Sequence, residues 1–139
     1  MASGEIPRRD LATDDCNLVI IAEDGKSTVD PLKDDQSLYI NTDSGLVILL
    51  GCAHAGLFNI IEHAIQVTGQ EKIHLLLGGT HLKFCDEKHL TANLKKLEEY
   101  QIYRIGVSHC TGLRPAQKIA ERFGDRFFYA SVGTEVQIG

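Results

Sequence analysis

The stretch LVILLGCAHAGLFNIIEHAI, residues 46–65, decides the fold. A short apolar run stops at Gly51 and gives way to small and polar residues. Leu57, Ile60, Ile61, Ala64 and Ile65 then recur at helical spacing up to Gly69, a suitable C-terminal glycine. The grammar is strand, turn, helix, and it returns twice. IHLLLGGTHL (73–82) leads to Asp86, a residue fit to cap a helix that carries Leu90, Leu94 and Leu97 on one face. YRIGVSHCTG (103–112) leads to a helix from about Arg114, with Ala116, Ile119, Ala120 and Phe123 inward and Gly124 at its end. Strands that alternate with amphipathic helices make βαβ units with parallel strands, so their carboxyl ends share one edge of the sheet. Such an edge is where α/β proteins build sites.

Outside the repeat, the first 16 residues read as polar and irregular. NLVIIA (17–22) reads as a short strand ending at the turn EDG, and SLYINT and LVILL pair as a hairpin around DSG. FFYAS and EVQI read as two closing strands around VGT. The expectation is one α/β domain over residues 1–139.

Composition narrows the function. With 139 residues, 43% of them hydrophobic, the chain can bury one modest core. A formal charge of -5 and a pI near 5.6 speak against a nucleic-acid binder, which needs a basic face to displace counterions. No apolar run is long enough for a membrane span, and the N-terminus has no apolar signal segment, so a cytoplasmic protein is expected. Cys16, Cys52, Cys85 and Cys110 form no CxxC pair and read as reduced thiols.

The six histidines divide by position. His63 and His89 fall inside helices and His74 near the start of a strand, where ordinary structural roles are expected. His54, His81 and His109 each sit just past an apolar strand, after small residues that leave room for a ligand. Imidazole is the commonest neutral metal ligand, and three converging rings suit an ion, although a hydrogen-bonded core feature is also open. Cys52 precedes His54 by two, so in an extended segment both could face one ion; a buried structural thiol is the alternative. Cys110 should point elsewhere if the backbone is extended there, and Cys16 and Cys85 carry no signal.

Ser108, Thr111 and the amides from Gly112 onward form a helix N-terminus with Arg114 close by, a natural anion site, or else Thr111 is a plain cap. Arg114, Lys118 and Arg122 read as a solvated stripe. Asp34 and Asp35 read as an acidic turn, with support of a metal ligand as the alternative.

Taken together, SGEIPR, DDQSLYINT, GLVILLGCAHAG, GGTHL and SHCTG resemble the C-terminal half of a metallo-β-lactamase-fold protein. The nearest branch is that of the ribofuranosylaminobenzene 5'-phosphate or dihydropterin synthase-like proteins. The resemblance implies half of an αββα sandwich, a mixed sheet with helices on one face. It also implies a divalent transition metal, zinc first and manganese or iron as alternatives, at the sheet edge. By it His54 is the metal ligand of the third superfamily motif and His109 that of the last; His81 falls near the fourth, where an aspartate bridging two metals is usual. The superfamily's His-x-His-x-Asp-His signature is absent from these residues.

The expected function is therefore the metal-binding half of a metal-dependent hydrolase-like protein, inactive without the half that carries that signature. The alternative is a non-catalytic, self-associating α/β module or partner subunit. Expected partners are a second copy or the missing N-terminal half, and a small, phosphorylated substrate, with no nucleic acid and no membrane.

Overall fold

The apolar runs LVILL and IHLLL form largely buried central strands, and each amphipathic run forms a helix with one face covered. The computed structural model describes residues 1–9 and 18–138; Cys16, the rest of 10–16 and the first residue of NLVIIA lie outside them. β1 (Val19–Ile21) and β2 (Ser27–Val29) form a two-stranded antiparallel hairpin with exposed side chains. The main sheet holds β3 (Ser37–Thr42), β4 (Gly45–Leu50), β5 (Ile73–Gly78), β6 (Ile102–Val107) and β7 (Phe127–Tyr129), ordered β3-β4-β5-β6-β7. β3 runs antiparallel to β4 and the other pairs are parallel, so the sheet is mixed.

The helices are α1 (Leu57–Thr68), α2 (Glu87–Glu98) and α3 (Leu113–Phe123). α1 ends at Gly69, whose φ of 70° lets its amide reach Ile65 O, and α2 begins where the Asp86 side chain accepts the His89 amide. Ile60 and Ile61 of α1, Leu90, Leu94 and Leu97 of α2 and Ile119 of α3 share one buried cluster with Tyr39, Leu46, Ile48, Ile73, Leu76 and Ile105 of the sheet. All three helices therefore cover the same face, as the resemblance implied. Each such aliphatic side chain contributes about 1.5–3 kcal/mol when fully buried, which makes this face the anchor of the turns above it.

Leu38, Ile40, Leu49, Leu77 and Phe128 lie on the opposite face by register. There Leu38 and Ile40 are 48% and 40% exposed, while Val47 and Leu75, next to Ile40 across the sheet, are buried. Gly106 leaves room on this face for the Phe128 ring, which a Cβ would overlap.

Two readings of the ends need correction. EVQI forms no strand: β7 stops at Tyr129, and no strand among the described residues pairs with residues 135–138. An apolar, β-branched run becomes a strand only where an edge accepts its hydrogen bonds. Residues 1–9 are also less irregular than their composition suggests. Ala2 bridges Leu38, the Tyr39 amide donates to Met1 O, and Ile6 is buried.

Candidate metal centre at the strand carboxyl ends

β5 lies between β4 and β6, so the turn after β5 lies between the other two. Backbone hydrogen bonds stitch the three together: the Gly79 amide donates to Gly51 O at 3.1 Å and the Ser108 amide to Gly78 O at 3.0 Å. The middle turn has to be thin. A Cβ on Gly79 would stand 2.5 Å from Cys110 Sγ, 2.7 Å from His109 Cε1 and 2.8 Å from Gly51 O. Glycine there lets side chains from the outer turns meet across the central strand.

Cys52 Sγ, from the turn after β4, lies 3.0 Å from His109 Nε2, from the turn after β6. Cys110 completes the group, since its Sγ donates to Cys52 O at 3.3 Å and the three ligand atoms lie within 4.8 Å of one another. The other imidazole nitrogen of His109 is 3.0 Å from Ser108 Oγ. With Nδ1–H donating to that hydroxyl, Nε2 presents its lone pair to the thiol or to an ion. Burial pushes the Cys110 thiol up to about 11, against the pull of a hydrogen bond from the His81 amide.

His54 and His81 form a second contact, with ring centroids 4.4 Å apart. The Phe84 ring, 64% exposed, covers His81 at 5.3 Å. Two residues here take left-handed backbone, Ala53 at φ 59° and His81 at φ 56°. Non-glycine residues in this region carry a conformational cost and concentrate at functional sites. The 51–56 turn is braced from below: Asp35 Oδ2 accepts the Ala55 amide at 2.8 Å, and Arg8 donates to His54 O at 3.1 Å and to Leu32 O at 2.7 Å. Asp35, not the exposed Asp34, thus acts as a support, on backbone.

The site differs from its sequence reading in two respects. Cys52 and His54 do not act as a same-face pair, because Ala53 breaks the extended geometry; Cys52 meets His109 and His54 meets His81. Cys110 does not point away, because His109–Thr111 is a 3-10 turn, in which consecutive side chains can flank one point. Sequence reasoning missed Cys110, and the Thr-Gly pair after it was the available sign of a turn.

The residues read as an anion site are engaged otherwise. Thr111 Oγ1, fully buried, accepts from the Thr80 amide at 3.2 Å and from the Thr80 hydroxyl at 2.9 Å. Arg114 pairs with Glu87, and Ser108 with His109. α3 is capped by Gly112 at φ 77° with no side-chain bond, so Thr111 is not its cap either. The remaining histidines have structural partners, as expected: His63 meets the Tyr39 hydroxyl at 3.2 Å, His74 stacks on Tyr103, and His89 pairs with Asp86.

A mixed five-stranded sheet of this order, with helices on one face and ligand-type side chains at its strand carboxyl ends, has the fold of the metallo-β-lactamase superfamily. The crystal structure of a metal-dependent hydrolase of the β-lactamase superfamily superposes with a TM-score of 0.74 at 26% identity, over 84% of this chain and 45% of that one. In sequence, the chain is similar to the 7,8-dihydropterin-6-methyl-4-(beta-D-ribofuranosyl)-aminobenzene-5'-phosphate synthase of Methanocaldococcus jannaschii, 30% identical over 105 residues. That match covers 76% of this chain and 36% of the synthase, so the chain spans less than half the length of either protein. No family profile matches the chain. Among the described residues, no helix is long and apolar enough to cross a membrane.

Proposed function

We propose that the chain is the metal-binding part of a metal-dependent hydrolase-like protein of the metallo-β-lactamase superfamily. Its ion is a divalent transition metal, zinc before manganese or iron, and His109 and His54 are its principal ligands, with Cys52 and His81 assisting. The observation that carries the His109 part of this reading is the meeting of Cys52, His109 and Cys110 across Gly79, where a single Cβ would fill the space; His54 enters by its contact with His81 at the same edge. When bound, zinc would act as a Lewis acid and lower the pKa of a water toward neutrality.

The chain's own residues hold and orient. Ser108 fixes the His109 imidazole, while Asp35 and Arg8 grip the peptide unit between His54 and Ala55. The cluster of Cys52, His109 and Cys110 contains no carboxylate, and the 139 residues contain no His-x-His-x-Asp-His. A positioned general acid or base is worth roughly 10²- to 10⁴-fold in rate, so we expect the chain alone to be inactive. A partner that carries the signature would complete the site. The synthase's name makes a small phosphorylated compound the first substrate class to try. We place the protein in the cytoplasm, where its thiols stay reduced.

Elemental analysis of untagged protein, alongside His54→Ala and His109→Ala, tests the metal. Bound metal in the native chain that falls in both variants is expected; native chain that takes up no zinc overturns the reading. Phosphodiester, lactam and thioester hydrolysis by the chain alone should match a blank, and turnover abolished by His109→Ala would contradict the inactivity.

A second reading, a non-catalytic module that pairs with a copy of itself, is favoured by the open sheet face at Leu38 and Ile40. Light scattering at micromolar concentration is the check. Twice the 15.3 kDa chain mass supports self-association, and the single mass speaks against it.

A further inference from the structure

We infer that Cys52, His109 and Cys110 form a sulfur-rich site for a thiophilic ion such as zinc or cobalt, with Cys110 as a true ligand. The inference rests on the reading above that an ion binds at His109 and deepens it, because it makes Cys52 and Cys110, rather than His54, the partners of His109 on that ion.

The geometry fits without rearrangement of the fold. Around a four-coordinate zinc, bonds of about 2.3 Å to sulfur and about 2.0 Å to nitrogen place two sulfurs about 3.8 Å apart and sulfur and nitrogen about 3.5 Å apart. Here Cys52 Sγ and His109 Nε2 are 3.0 Å apart and all three atoms lie within 4.8 Å, so shifts of about 1 Å, within side-chain reach, suffice. Three protein ligands leave a fourth position open, as in a catalytic rather than a structural zinc site.

The elements that carry the ligands are already fixed to one another. Cys110 Sγ touches Cys52 O at 3.3 Å, Gly79 N–H reaches Gly51 O at 3.1 Å, and the Gly79 Cα faces both the sulfur and the imidazole. His109 Nδ1 has its own partner in Ser108 Oγ, the outer support that ligating imidazoles ordinarily have. Cys85 has no place in the group: it sits after the 3-10 turn Leu82–Phe84, where Asn93 Nδ2 donates to its sulfur at 3.6 Å. Ligand choice follows from the donor set, since thiolates select soft ions such as zinc over magnesium or calcium. Each thiol releases its proton to solvent as the ion binds, so uptake should acidify an unbuffered solution.

The experiment uses the whole untagged chain, cobalt(II) as the probe, and the near-ultraviolet sulfur-to-cobalt charge-transfer band as the readout. The native chain should show the band. Cys52→Ser and Cys110→Ser should each lose a large part of it, and Cys85→Ser should keep it. Because a serine variant could misfold, the native chain is also alkylated with iodoacetamide, with and without zinc; zinc should protect Cys52 and Cys110 from labelling. Cobalt bound with no sulfur band, a band unchanged in Cys110→Ser, or equal labelling with and without zinc overturns the inference. Cobalt bound without the band but lost in His54→Ala and His109→Ala leaves the histidine-led metal reading standing. No cobalt or zinc bound by the native chain ends both.

Discussion

The two ends of the parallel strands are built from the same residue types for opposite reasons. At the helix-to-strand end, Gly69 takes φ 70° to finish α1, and a Cβ there would meet nothing within 4 Å. At the strand-to-helix end, Gly79 is confined by neighbours: its space is bounded by a cysteine, a histidine and a carbonyl from two other turns. The first glycine serves its own stretch of chain and the second serves residues far away in sequence. Ala53 and His81, both in left-handed backbone, belong to the second end as well. Local rules thus account for one end of the sheet, while the other is shaped around what it gathers.

Substitutions that contrast the two ends sharpen this difference. Gly79→Ala should have the largest effect, about 3 kcal/mol of stability lost to overpacking, together with loss of metal uptake. Urea denaturation and zinc titration measure the two losses, and a variant that keeps both would show that the turns can separate freely. Thr111→Val comes next. It leaves the buried Thr80 amide and hydroxyl without their acceptor, at a cost of about 2 kcal/mol, and should weaken the turns without removing a ligand. Gly69→Ala should cost about 1 kcal/mol, the strain of placing a side chain in left-handed backbone, with zinc uptake unchanged. Altered uptake in that variant would break the contrast.

A pH series should touch the helix-covered core at alkaline pH, with no effect at neutral pH. Burial pushes the Tyr39 hydroxyl up to about 12. A raised phenol pKa means that the fold favours the protonated form. Its contribution is complete below the ordinary value near 10 and is lost as pH rises through about 12. Tyr39→Phe should flatten the alkaline fall in stability followed by circular dichroism. An equal slope in both proteins would show that the core does not feel this group.

Much of the fold was legible, because it rests on periodicity. Leu57 to Ile65, the Asp86 cap and the ending at Gly69 all follow from local spacing and are found as read. The hairpin around Asp43–Ser44 follows from two apolar runs and a short turn. EVQI misleads because strand formation needs a partner edge, which composition does not encode. At the site, histidines after strands could be seen, but their pairing could not. It depends on one left-handed alanine, one 3-10 turn and the thinness of Gly79, all set by tertiary contacts. Cys110 was passed over for that reason.

The central claim is that the strand carboxyl ends hold a metal ion at His109. Crystals of the zinc-loaded native chain, measured on both sides of the zinc absorption edge, test it most directly. The account predicts an anomalous difference peak within bonding distance of His109 Nε2. A zinc-loaded crystal whose peak lies instead at the exposed His89–Asp86 pair, or that has no peak at this edge of the sheet, would contradict it.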